Sequence, residues 1–291
     1  MNRREFVATG LAGLSVLGIS SKAAWSQSPN TSLPPARFQL GIVTYNIAAT
    51  WDLPTILRVC RNVGLSAVEL RTTHAHGVEP DLPPAKRAEV RKQFADSGIV
   101  FWGSGTVCEF HSPDASVVRR NIEICKRFVD LVADLGGKGV KVRPNALPKE
   151  VPIEKTLEQI GKALRECGKS AADRGIEIWL EVHGPGTSHP PHVRTIMEHC
   201  GAPNVGITWN SNQSDIKDGS VREYFELLRP WLKSCHINEL YSNYPWRELF
   251  GLLRQCGYDR YTLAEIPGMP DVASGERLLR YYKALWQELI G

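Results

Sequence analysis

No pair of cysteines in this 291-residue chain stands at C-x-x-C spacing. The seven present, Cys60, Cys108, Cys125, Cys167, Cys200, Cys235 and Cys256, are odd in number and mostly sit in apolar stretches, where a free thiol behaves as a small hydrophobe. No disulfide pairing follows from them. Basic blocks of five or more residues are also missing, and the net charge is only +4, so the electrostatic footprint of a nucleic-acid binder is absent. No G-x-G-x-x-G follows the first strand pattern, which disfavours an open nucleotide-binding sheet. Gly-Ser or Pro-rich linkers do not occur between Phe38 and Gly291, and one domain is the simpler reading. The longest uncharged apolar stretch, Val7 to Ile19, covers about 13 residues, short of the roughly 20 that span a bilayer.

That stretch follows Arg3-Arg4-Glu5-Phe6 and precedes a small, polar segment with Ala24 and Ser26. The pattern reads as a twin-arginine export signal over 1–26, cut after Ser26, and not as a permanent membrane anchor. It implies passage through the twin-arginine translocase, usually already folded, into the periplasm. A short segment, 27–37, leads into the body of the protein at 38–291, long enough for one large α/β domain.

From Phe38 onward, β-rich runs alternate with helix-length segments. Strands are expected at 38–45, 67–71, 99–107, 138–143, 176–182, 205–209, 232–239 and 261–266. Helices are expected at 53–63, 83–97, 115–135, 153–174, 191–200, 221–229, 246–256 and 274–289. The strand runs are almost continuously apolar, as strands covered on both faces are. Gly64, Gly98, Gly136, Gly175, Gly201 and Gly257 each follow a helix and precede a strand. Eight such units in one domain of this size predict a closed (β/α)8 TIM barrel.

Four polar residues close four of the later apolar runs: Glu181, Asn210, His236 and Glu265, separated by 29, 26 and 29 residues (181 to 210 to 236 to 265). Barrel enzymes keep their sites at the C-terminal strand ends, so these side chains converge on one mouth. Other candidates there are Tyr45, Asn46, Glu69, His74, His76, Trp102, the run Cys108 to His111, Lys141, Arg143, His183, Trp209, Asn238 and Glu239. A carboxylate ending an apolar strand is costly to desolvate unless it is paired or binds metal. Glu181 and Glu265 either form separate salt bridges or bind one hard divalent ion through one oxygen each, leaving the other oxygens for acid and base work on opposite faces of a substrate carbon. His236 fits as the imidazole ligand, against the alternative of a satisfied core histidine. Such a ligand set suits Mn²⁺, Mg²⁺ or Co²⁺, and Zn²⁺ is compatible with it. His183 is a candidate donor to a substrate oxygen. Lys141 and Arg143 either hold an anionic or hydroxyl-rich substrate or balance the glutamates. Trp102, Trp209 and Trp246 offer stacking faces for a sugar ring, although a buried tryptophan is the commoner case.

At these residues the chain resembles the sugar phosphate isomerase/epimerase family, the xylose-isomerase-like barrels, over about 38–289. The likeness rests on Leu180-Glu181-Val182-His183-Gly184, His236-Ile237-Asn238-Glu239 and Tyr244-Pro245-Trp246-Arg247-Glu248-Leu249, followed by Leu252-Leu253, Gly257-Tyr258 and the Glu265 strand. It implies a divalent metal held by Glu181, His236, Glu265 and a fourth residue from the sixth strand, with the two glutamates moving protons. Where the family most often has Asp, this chain has Asn210. A neutral amide can ligate through its carbonyl, but it lowers the charge of the ligand set. Asp215 or a water filling that position is the alternative. A homodimer is compatible with the resemblance.

The expected function is therefore a metal-dependent isomerase or epimerase of an unphosphorylated sugar, keto-sugar or related polyol, working through an enediolate. Catalysis falls to Glu181 and Glu265, and substrate binding to His183, Arg143, Lys141, Trp102 and Glu239. A lyase or hydrolase of 3-keto-glycosides on the same barrel, and a non-catalytic sugar-binding member that has lost its metal, are the alternatives.

Overall fold

The computed structural model describes residues 33–291. The export signal expected over 1–26 lies outside the described residues. Eight parallel strands alternate with eight helices in the order β1 (Gln39–Val43), α1 (Leu53–Val63), β2 (Ala67–Arg71), α2 (Pro84–Ser97), β3 (Val100–Glu109), α3 (Ala115–Leu135), β4 (Gly139–Arg143) and α4 (Ile153–Ala172). The second half follows with β5 (Glu177–Glu181), α5 (Pro190–Cys200), β6 (Val205–Trp209), α6 (Arg222–Leu228), β7 (Leu232–Ile237), α7 (Trp246–Gln255), β8 (Tyr261–Ala264) and α8 (Val272–Ile290). Each strand pairs with the next, and β8 pairs back onto β1 to close the barrel. The predicted TIM barrel is what forms.

Local chemistry sets the boundaries. Asp52 caps α1 by accepting from the Thr55 amide at 2.9 Å, and Asp114 caps α3 by accepting from the Ser116 amide at 2.8 Å. The six glycines expected to stop helices all adopt positive φ, from 60° to 76°. Pro230 ends α6 one residue early and folds Arg229–Trp231 into a 3-10 turn. The expected strands 38–45, 232–239 and 261–266 overrun the observed β1, β7 and β8, because their last residues leave the ladder to become mouth loops.

Strand alternation sorts side chains between helix-facing and lumen-facing sets. On β5, Ile178 and Leu180 join the large core between sheet and helices, while Glu177, Trp179 and Glu181 project inward. The lumen is layered. Its middle is a plug of Val43, Ala67, Trp102, Trp179 and Leu263, with the two indoles stacked at 4.9 Å between centroids. Two indoles of roughly 200 Å² each, at roughly 25 cal/mol per Å², contribute on the order of 10 kcal/mol, so the plug and not the polar mouth holds the lumen together. Small residues make room for it: a Cβ on Gly139 would overlap the Trp179 ring.

Among the described residues no helix is long and apolar enough to cross a membrane.

Candidate active site and metal centre

A cavity of about 500 Å³ opens at the C-terminal mouth of the barrel. Glu181, Glu265, Asn210, His183, Lys141, Arg143 and Glu239 all line it. His236 lies just beneath, fully buried, against both glutamates. Trp102 is elsewhere. It is only the third residue of the ten-residue β3, at a register shift opposite Val68 and Glu69, and so it falls into the plug, where its Nε1 donates to Ser234 Oγ at 3.2 Å. Trp209 faces the helices, against Phe225, because it is out of phase with Asn210. Of the three candidate tryptophans only Trp246 lines the cavity.

The floor of the cavity is a cluster of acceptors. His236 Nδ1 lies 3.5 Å from Glu181 Oε1 and 3.6 Å from Glu265 Oε2. One ligand atom from each of these three residues falls within 4.8 Å of the other two. On the far side of the ring, His236 Nε2 lies 3.2 Å from Glu69 Oε2. If Nε2 donates to Glu69, Nδ1 presents a lone pair to two carboxylate oxygens, an arrangement that only a cation stabilises. The separations suit one ion, since ligands at about 2.1 Å in a tetrahedron lie roughly 3.4 Å apart. Asn210 Oδ1 and His236 Nδ1 are both buried without a hydrogen-bond partner, where such groups normally find one. These residues therefore fit a divalent metal, with Glu69 orienting the imidazole from behind.

Electrostatics divide the two glutamates. Burial pushes the Glu181 carboxyl up, but Lys141 and His236 outweigh it and hold the group well below the ordinary carboxylate range. Its Oε2 accepts from Lys141 Nζ at 2.7 Å, both side chains being almost fully buried. Glu265 is more open, at 16% exposure, and its remaining oxygen has no protein donor among the described residues. Burial would push His236 down, yet Glu69, Glu265 and Glu181 raise it well above its usual value. The same negative field that holds a proton there would hold a metal ion. Burial also raises Glu239.

Other candidates are structural. His76 Nε2 donates to the Arg71 carbonyl at 2.8 Å while its Nδ1 accepts from the Val78 amide at 3.0 Å. His74 bonds Thr44 Oγ1 at 3.1 Å, and its pKa is lowered to about 4 by burial, with His76 and Arg71 adding to the shift. Asp215 accepts from the Asn212 amide and from Tyr244 Oη, and is buried away from the cavity wall. It does not take the place of Asn210. Gly184, at φ +89° with Asn145 against its Cα, lets the chain turn sharply after His183. The sequence reading passed over Arg71, which lines the cavity. It stands two residues beyond Glu69 on the same strand face, and that parity was the available signal.

The family model described as the xylose isomerase-like TIM barrel matches residues 57–285. A ketose 3-epimerase of Arthrobacter globiformis is 24% identical over 222 residues, covering 72% of this chain and 76% of its own. A D-psicose 3-epimerase from Clostridium cellulolyticum H10, solved with D-tagatose, superposes with a TM-score of 0.74 at 15% identity, over 87% of this chain and 99% of the other. The IOLI protein, solved with a zinc atom, also reaches 0.74 at 16% identity, over 87% of this chain and 98% of its own.

Proposed function

The chain belongs to the xylose isomerase-like TIM barrel family, and from that premise we propose that it is a divalent-metal-dependent sugar epimerase or isomerase acting on a keto-sugar. One observation carries the reading: acceptor atoms of Glu181, His236 and Glu265 converge at the floor of a cavity that Asn210 also lines, its side-chain Oδ1 without a donor among the described residues. The ketose 3-epimerase relative and the zinc-bearing neighbour support it.

Glu181, Asn210, His236 and Glu265 would hold the ion, with Mn²⁺, Mg²⁺, Co²⁺ or Zn²⁺ as candidates, and it would supply Lewis acidity to the substrate carbonyl oxygen. Glu265, which lines the cavity and whose second oxygen has no protein donor among the described residues, takes the proton from the carbon beside that carbonyl. The electron pair moves into an enediolate. Glu265 keeps that proton, and the Lys141 ammonium, which donates to Glu181 Oε2, supplies the one that the Glu181–Lys141 pair delivers to the carbon. His183 and Glu239, both on the wall, hold substrate hydroxyls. The orphaned Asn210 carbonyl argues for a retained ligand set over a metal-free binding protein.

Export through the twin-arginine translocase to the periplasm, proposed from Arg3-Arg4 and the apolar stretch behind them, favours an unphosphorylated sugar. The test is deuterium exchange at the carbon next to a ketose carbonyl, followed by NMR in D₂O. Exchange should vanish with a chelator and return with Mn²⁺. Absence of exchange by metal-loaded protein across ketoses and keto-acids would refute the reading.

A further inference from the structure

The proposed chemistry leaves one wall of the cavity unused. Arg71 ends β2 and Arg143 ends β4, and both line the cavity. Between them β3 offers Gly105, paired in register with Arg71 on one side and Lys141 on the other. A Cβ there would lie 2.7 Å from Glu69 Oε1 and 3.5 Å from Lys141 Cε, so glycine leaves room at this height for the Glu69 carboxylate.

The two arginines differ in their pairing. Arg143 Nη2 is bound by Glu109 Oε1 at 2.7 Å, although its Nε is buried and unpartnered. Arg71 has no carboxylate within 4.0 Å among the described residues. Its Nη1 donates to the Thr72 carbonyl and to Thr73 Oγ1, while its Nε and Nη2 have no acceptor among the described residues. The guanidinium lies over the Tyr45 ring, 5.7 Å from its centroid. The nearby Glu79 is already occupied by Thr72 Oγ1 and the Thr73 amide. Lys141 is occupied by Glu181. Burial, and next to it the charge of Arg143, disfavour the cationic form of Arg71. A half-buried cation beside a second one, with two free donors on a cavity wall, is the arrangement that receives an anion.

Resting on the epimerase reading above, we propose that the substrate is a sugar acid: a keto-sugar whose carboxylate is held by Arg71, with Arg143 beside it. Among the described residues only one of the wall's cations, Arg71, lacks a counter-ion, which matches a monoanion better than a phosphate dianion. Opposite, Asn238, Glu239 and Ser242 offer hydrogen-bonding groups suited to hydroxyls.

The experiment is calorimetric titration of the signal-free chain, with and without Mn²⁺, using three probes: D-fructose, 5-keto-D-gluconate and D-fructose 6-phosphate. The keto-acid should bind about tenfold tighter than D-fructose or better, the scale of one charge-assisted contact. Raising salt should weaken only the two anionic probes. Arg71→Met should erase the keto-acid preference and Arg71→Lys should keep part of it, with unfolding temperatures confirming that both variants fold. The proposal is overturned if the keto-acid binds no better than D-fructose, if its advantage survives Arg71→Met, or if the phosphate ester binds tightest. Failure here is separable from failure of the epimerase reading. Deuterium exchange on neutral ketoses with no preference for acids sinks only the sugar acid, whereas an acid preference without any exchange sinks only the epimerase.

Discussion

Glu177 and Glu181 stand four residues apart on one face of β5, at opposite ends of the strand and in opposite surroundings. Glu177, at the bottom of the lumen, is gripped by both Arg260 terminal nitrogens at 2.7 and 3.0 Å, and Trp179 Nε1 donates to it at 2.8 Å. Lys138 and Lys233 stand within 3.8 Å. Burial pushes its carboxyl up, yet Arg260 and Trp179 outweigh that and leave it lowered. Glu181, at the top, shares its surroundings with Glu265, Glu69 and unpartnered atoms of His236 and Asn210. The bottom is a finished structure that needs nothing more. The mouth is left unsatisfied in a way that a ligand completes, which is how a binding site differs from a structural ion pair.

Four changes would break or sharpen that contrast. The largest effect is expected from Glu265→Gln, which should lower turnover about 10²–10⁴-fold, the usual range for a general acid–base group, while the unfolding temperature stays near wild type. Deuterium exchange within tenfold of wild type would remove Glu265 from the chemistry.

Glu177→Gln should do the reverse. Leaving Arg260 without its carboxylate costs roughly 3 kcal/mol, read by denaturant unfolding, with metal affinity little changed. For the wild-type ion pair, the depressed Glu177 carboxyl means that its stabilisation is complete above the unfolded value of 4.5 and is lost as pH falls below it.

Asp215 carries the opposite sign. Burial pushes its carboxyl up to about 7 from 3.8, so the folded chain keeps a proton that the unfolded chain releases. Stability should fall as pH rises from about 4 to about 7, by on the order of 2–4 kcal/mol. Asp215→Asn should flatten that profile, and an unchanged slope in the variant would remove Asp215 as its cause.

The smallest effect is expected from Asn210→Asp. A third carboxylate at the mouth should tighten Mn²⁺ binding about tenfold or more, about 1.4 kcal/mol per tenfold step, in competition with a fluorescent chelator. Unchanged affinity would place the Asn210 carbonyl outside the ligand set.

Much of this was legible in the chain. Gly64, Gly98, Gly136 and Gly201 sit where the helices stop. Glu181, His236 and Glu265, picked out as strand ends, meet within 4.8 Å. Trp102, expected at the mouth, misled because it lies early in the expected strand 99–107: β3 continues seven residues past it, to Glu109. Arg71 was passed over beside the more familiar Glu69. The restraint of Glu181 by Lys141 was equally hidden, since the lysine read as well for substrate as for a counter-ion.

Local sequence determined the alternation of elements, the inward parity of each strand and the polar identity of the strand ends. These depend on periodicities of two and 3.6 residues and on caps that act within a few positions. Partnership was decided only by closure of the barrel. Lys141 meets Glu181 across 40 residues, Arg260 meets Glu177 across 83, and Glu69 meets His236 across 167. Register between strands and the closing of β8 onto β1 bring these groups together, and no short-range pattern encodes a distance across the lumen. The chain specified which chemistry would reach the mouth, and the fold decided which carboxylates would be neutralised and which would be left to work.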